Sequence, residues 1–295
     1  MTTSMKRPTP ANRPRKPRRK GISPWVPNQH GAWAMLISPA VLGLISGLVM
    51  FARTGAPTSR LIVLLAVLVA WFFGYFAFFA FGLAARARNP RRRARYLQPV
   101  YVYGAVSLLG IAVALLLQPG LIWWAIPFAP LVVIAVGETI RGRSRSTLSG
   151  VSTTVASALL FPALTSVGSA SGEVGVAAWS SMVFLAVYFS GTIPFVKSMI
   201  RERDNPRYLA GSITYHAVAV LIIWVMALAV GVGWVTGILM VSTLLVALFR
   251  AMYIPMAARQ GAEWTARRLG MAEIPVLLLG CVAVLATVIA PRHSA

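Results

Sequence analysis

The sequence predicts an all-α polytopic membrane protein of about nine transmembrane helices, N-terminus inside and C-terminus outside. Three observations carry that prediction. The 295-residue chain is 58% hydrophobic and 12% charged, about half the charged share of an ordinary soluble domain. Its mean hydropathy of +0.74 requires lipid as solvent for much of the apolar surface. Its 28 Lys and Arg against six Asp and Glu fall between apolar stretches. A nucleic-acid module would instead gather them on one face of a soluble domain, so positive-inside topology is the better account.

Residues 1–24 carry eight Lys and Arg among Pro and small residues. They read as a disordered cytoplasmic tail that touches anionic lipid, each cation contributing about 1 kcal/mol near the surface. The apolar run that follows is longer than a signal h-region and lacks an Ala-x-Ala site, so the segment reads as uncleaved. Residues 25–292 are expected to form one transmembrane domain. Its apolar stretches fall at about 32–52, 61–83, 98–117, 120–137, 148–168, 176–196, 213–231, 234–253 and 274–291. The last two before the final stretch abut at GVGWVTG, and forty apolar residues exceed one bilayer crossing, so a tight Gly-rich turn is expected there.

With the N-terminus inside, the inner loops and the inner end of span eight, where Arg250 is placed, collect 25 of the 28 basic residues. Arg53, Arg60 and Arg292 fall outside. Gly43-x-x-x-Gly47 and Gly233-x-x-x-Gly237 predict close helix approach. Pro39, Pro162 and Pro194 predict kinks. The single cysteine, Cys281, excludes an internal disulfide or a thiolate metal cluster. Ionisable residues deep within spans are expected to be nearly absent, which counts against an ion-coupled transporter.

Span two runs out into RARNPRRRARYLQP and span six into RERDNPRYLAG. Aligning the Asn-Pro pairs matches Asn89 with Asn205 and Arg91 with Arg207. The four-span displacement predicts a parallel repeat, about 28–137 and about 148–253, with a last helix at 274–291. Asn before Pro disfavours the α region, so each pair is expected to close its helix, with Arg at the negative end of the helix dipole. Arg offers a planar fork for phosphate, diphosphate or carboxylate. The candidate anion site is therefore Arg86, Arg88, Asn89 and Arg91 with Arg201, Arg203, Asn205 and Arg207. Arg after a span is also the ordinary topology signal; recurrence at the repeat distance is what lifts these residues above it. Glu202 and Asp204 are expected to pair with the neighbouring arginines rather than hold a metal. Asn28, Gln29 and His30 lie at the lip of span one, with His30 as candidate proton carrier, and His216 falls at the inner end of span seven.

VPNQHGAWAMLISP, residues 26–39, followed by nine spans and the RARNP and RERDNP loops, resembles the YwiC-like family of bacterial membrane proteins over roughly residues 24–291. The resemblance implies a cytoplasmic-membrane location and no particular chemistry. A looser architectural resemblance, to the UbiA superfamily of membrane prenyltransferases, implies a helical bundle with polar motifs after spans two and six. Those enzymes carry Asp-rich motifs that grip an isoprenyl diphosphate through Mg²⁺. The corresponding stretches here hold only Glu202 and Asp204 as acids. The resemblance thus implies a transferase with Asp-poor motifs, if an enzyme at all, and Mg²⁺ only if a prenyl diphosphate is bound.

The leading expectation is a basic cytoplasmic mouth that binds an anionic amphiphile, a lipid or isoprenoid phosphate. The alternatives are a transporter of a small solute and a non-catalytic accessory protein. Expected partners are the bilayer and its anionic lipids, with no nucleic acid and no cofactor.

Overall fold

The computed structural model describes residues 23–27 and 30–289, the side chain of His30 excepted. Among the described residues the chain forms α-helices joined by short turns and contains no strand. The helices are α1 (His30–Thr54), α2 (Ser59–Ala85), α3 (Pro90–Leu117), α4 (Ala125–Ile140), α5 (Thr147–Gly168), α6 (Val176–Ile200), α7 (Pro206–Val230), α8 (Trp234–Arg259) and α9 (Ala266–Ile289). All nine are long and apolar enough to cross a membrane, α4 by continuing a 3₁₀ turn, Pro119–Trp124. Leu65, Leu116, Trp123, Val133, Leu228 and Trp234 point outward from the bundle. Such apolar surface is stable only against lipid.

The expected spans match within a few residues except at four ends; α3 begins at Pro90 and α7 at Pro206, each ahead of its most apolar stretch. α8 continues to Arg259 and α9 begins at Ala266, so each is longer at one end than its most apolar stretch. The sequence reads α8 as ending near 253 because Tyr253, Pro255 and Arg259 dilute the window; the backbone keeps its helical bonds regardless, with Pro255 inside the helix. The α7–α8 turn is as expected, with Gly231 at φ 66° and Gly233 at φ 84°. Gly233 therefore serves the turn and lies outside the helix face assigned to it.

α5 stands in the middle, packed by α1, α2, α4 and α6. The α2–α3 hairpin and α4 flank one side; α7, α8 and α9 build the other, with α9 closing on α1 and α6. The α1–α5 seam is the tightest in the molecule. A Cβ on Gly168 would stand 1.8 Å from the Gly47 carbonyl oxygen, and one on Gly47 would stand 2.6 Å from the Leu164 carbonyl oxygen. Hydroxyls fasten the same seam: Thr165 Oγ1 donates to Ser46 Oγ at 2.8 Å, and Ser157 Oγ donates to the Met35 carbonyl. Small residues with hydroxyls are what helices use to associate in lipid, where apolar burial supplies no driving force.

Both Asn-Pro pairs open a helix instead of closing one. α2 ends at Ala85 and α6 at Ile200, four and five residues before Asn89 and Asn205. Asn89 Oδ1 accepts from Arg91 N at 2.9 Å and Arg92 N at 3.4 Å; Asn205 Oδ1 accepts from Tyr208 N at 3.1 Å. Pro then occupies the first helical position, where a missing N–H is harmless. The bias of Asn away from the α region is satisfied by its extended N-cap conformation, so the steric rule held while its position in the helix did not. Asn89→Ala and Asn205→Ala are each expected to lower stability by about 1 kcal/mol, read as a melting shift in detergent. Beyond this shared cap the two halves pack differently: α2 and α3 pair along their length, whereas α6 divides its surface among α5, α7, α8 and α9.

Candidate functional site

A groove of about 540 Å³ runs along α1–α5, within the size range of lipid and ligand sites. Val67, Trp71 and Phe78 of α2, Ile111 of α3, Phe128 and Val132 of α4 and Leu160 of α5 form its walls. Most of its polar atoms have partners within the protein; the Tyr75 hydroxyl has none among the described residues. Trp71 Nε1 donates to the Leu36 carbonyl at 3.2 Å, Ser107 Oγ to the Ala70 carbonyl at 2.8 Å and Trp124 Nε1 to Ser166 Oγ at 3.1 Å. A wall this apolar offers an occupant mainly dispersion and apolar burial, which is the chemistry of a hydrocarbon chain.

Toward one end of the groove the ends of α2 and α4 meet: a Cβ on Gly82 would lie 3.6 Å from Thr139 Cγ2. Arg86 is fixed here, its Nε donating to the Gly82 carbonyl at 2.8 Å, as a cation at a helix C-terminus should be. Buried Glu138 holds Arg143, whose Nη2 donates to Oε1 at 2.6 Å, with Arg141 Nη1 3.7 Å from the same oxygen. α5 starts beside them with Ser146 as N-cap, and Lys197 of α6 donates to Thr147 Oγ1 at 2.8 Å. The loops at this end of the bundle therefore carry the cations of a rim: Arg86 after α2, Arg141, Arg143 and Arg145 after α4, and Lys197 and Arg201 at the end of α6.

Arg88, Arg91, Arg201, Arg203 and Arg207 are exposed on this rim. Among the described residues no hydrogen bond or ion pair joins the 86–91 loop to the 201–207 loop; the start of α5 stands between them. Glu202 and Asp204 do not form the expected ion pairs with their arginine neighbours among the described residues. Glu202 Oε2 accepts instead from Asn205 Nδ2 at 3.0 Å, and Asp204 is exposed. A short turn points these side chains along the backbone, where Asn205 is the nearer donor. His216 is no interfacial residue: it is 3% exposed in mid-α7, with Nδ1 2.8 Å from the Ser212 carbonyl oxygen. Asn28, Gln29 and the His30 side chain lie outside the described residues. Just beyond them, Trp33 Nε1 donates to the Pro27 carbonyl at 3.2 Å and the ring packs on Tyr75 and Phe76.

The structure also contains a buried ion pair between α8 and α9. Arg250 of α8 is 5% exposed and Glu273 of α9 is 19% exposed at its side chain; Arg250 Nη1 donates to Glu273 Oε2. Tyr188 of α6 donates to the other carboxylate oxygen at 2.6 Å. Phe195 covers the guanidinium, with Cζ 4.3 Å from the ring centroid. One Arg and one Glu therefore lie inside α8 and α9, enclosed by protein. The signal was available: one Arg and one Glu, each isolated in an apolar run that proves to be helical.

Residues 26–165 match the family model described as YwiC-like protein. An uncharacterized protein of Bacillus subtilis (strain 168), YwiC, is 28% identical over 254 residues, 84% of this chain and 92% of that protein. An uncharacterized protein of Haemophilus influenzae is 24% identical over 200 residues, 67% of this chain and 76% of that protein. No solved structure matches the chain. The family model spans α1–α4 and all but the last turn of α5, the helices that wall the groove. Through the family model over residues 26–165 and the Bacillus relative over most of its length, the chain is similar to the YwiC-like family.

Proposed function

We propose that this YwiC-like membrane protein binds an anionic amphiphile, with the apolar chain in the α1–α5 groove and the charged head on the cationic rim, which faces the cytoplasm. The observation that supports this most directly is the pairing of a largely apolar groove with arginines at one end. Arg86 is pre-positioned by Gly82, and Arg141 and Arg143 by Glu138; Arg88 and Arg91 extend the rim. A lipid phosphate or isoprenoid phosphate has both parts. Nucleophile, base and metal roles find no assigned residue in this reading, so it is a binding function; a transferase acting on the same ligand is compatible with it.

Native mass spectrometry of the purified protein tests it. Wild type is expected to retain an anionic amphiphile. Arg88→Ala with Arg203→Ala should remove it through the head, and Val132→Trp should remove it by filling the groove from its lipid-exposed side. Retention by all three proteins would sink the reading.

A second reading, a transporter of a small solute, gains one specific support. The Arg250–Glu273 pair within α8 and α9 is the kind of interior charge that lines transport paths. Solute flux in proteoliposomes that Arg250→Gln abolishes would favour it.

A further inference from the structure

Arg250 presents two edges and uses one. Nη1 serves Glu273. Nε and Nη2, which share the opposite edge, are buried and have no hydrogen-bond partner among the described residues. Ser212 Oγ, on α7 one turn before His216, is in the same condition. An unmade hydrogen bond from a buried charged donor carries its full desolvation penalty, so two on one guanidinium, inside a bundle surrounded by lipid, require an explanation.

The geometry of that edge supplies one. Nε and an adjacent Nη form the fork that receives both oxygens of a carboxylate or two of a phosphate. Glu273 does not compete for it, because one of its oxygens is held by Nη1 and the other by Tyr188. Phe195 closes one face of the guanidinium, which leaves the edge as its remaining binding direction. We propose that Arg250 is an oxyanion-binding residue in the interior of α6–α9, receiving a carboxylate or phosphate group on its Nε/Nη2 edge, with Ser212 on the neighbouring helix as a hydroxyl donor. This site is separate from the α1–α5 groove, and its residues lie on helices beyond the stretch that the family model spans.

The roles of the two partners have opposite signs. Lysine in place of Arg250 keeps a cation for Glu273 and removes the second edge. Glutamine in place of Glu273 keeps an acceptor for Nη1 and removes the negative charge that compensates the guanidinium. A purely structural ion pair would lose stability in both variants and show no oxyanion dependence.

The experiment uses the full chain in phosphatidylcholine nanodiscs, with sodium acetate and inorganic phosphate as probes against chloride at matched ionic strength. Wild type is expected to show a saturable rise in melting temperature with at least one probe. Arg250→Lys should weaken the apparent affinity at least tenfold, Glu273→Gln should strengthen it, and Arg267→Ala, at an exposed cation near the start of α9, should leave it unchanged. A parallel arm in nanodiscs containing phosphatidylglycerol, read by native mass spectrometry, identifies a lipid headgroup as the source if wild type retains that lipid and Arg250→Lys does not. The proposal is overturned if folded wild type responds to neither probe and retains no Arg250-dependent lipid. It is overturned equally if Glu273→Gln binds no more tightly than wild type, an outcome readable even if Arg250→Lys fails to fold.

Discussion

Glu273→Leu is expected to cost about 3–5 kcal/mol, the largest loss from any single side chain in the protein. Arg250 is 5% exposed and Glu273 is its charge partner. Removing the carboxylate leaves a buried guanidinium uncompensated, and it also strips the acceptor from Tyr188. The attraction within a buried pair is largely offset by the desolvation of its members, so the pair itself need not be a net source of stability. The double variant Arg250→Met with Glu273→Leu is therefore expected to recover most of what the single variant loses. Thermal unfolding of the four proteins of this cycle in one detergent gives the coupling directly. A double variant as unstable as Glu273→Leu alone would show that the loss comes from packing around α9 and not from charge.

Gly168→Leu is expected to cost about 3 kcal/mol, at the upper end for an overpacked interior. The new Cβ would fall 1.8 Å from the Gly47 carbonyl oxygen, and neither atom belongs to a side chain that could rotate away. The α1 and α5 backbones would have to part, which would also break Thr165–Ser46 and Thr54–Gly168. Gly104→Leu is the matched control, since nothing lies within 4 Å of a Cβ there. A melting temperature for Gly168→Leu equal to that of the control would show that the seam is not held as tightly as its geometry requires.

Helix number and type were legible in the residues because each span must satisfy its own backbone in lipid, and a run of about twenty apolar residues announces that requirement locally. The α1–α5 seam was half legible. Gly43-x-x-x-Gly47 marked one face, while its partner Gly168 sits at the end of a helix with no such spacing. Asn-Pro was read with the right stereochemistry and the wrong neighbour, because the same extended Asn can end one helix or cap the next. Only the length of the turn before it decides. Of the candidate site, the arginines of the rim were visible as loop charges. The groove was not, since its walls come from five helices and its residues differ in no local way from those that face lipid. Arg250 and Glu273 were each visible as residues, and their pairing was not. Their partnership joins two helices across a loop, and a window that looks for apolar length takes in Arg250 and stops short of Glu273.

α5 is the least apolar of the spanning helices and the one most enclosed by protein. Ser149, Ser152, Thr154, Ser157, Thr165 and Ser166 are buried within it, most of them satisfied by carbonyls or hydroxyls of its own turns and of α1 and α6. Alone in a bilayer it would face hydrocarbon with a ladder of hydroxyls, whereas its neighbours would be at ease there. The order of synthesis then acquires a physical meaning. The four segments made before α5 can enter lipid unaided, and α5 is left to settle against α1 as it emerges, with α6 arriving to enclose it. The membrane admits this protein's central post on the strength of company already present.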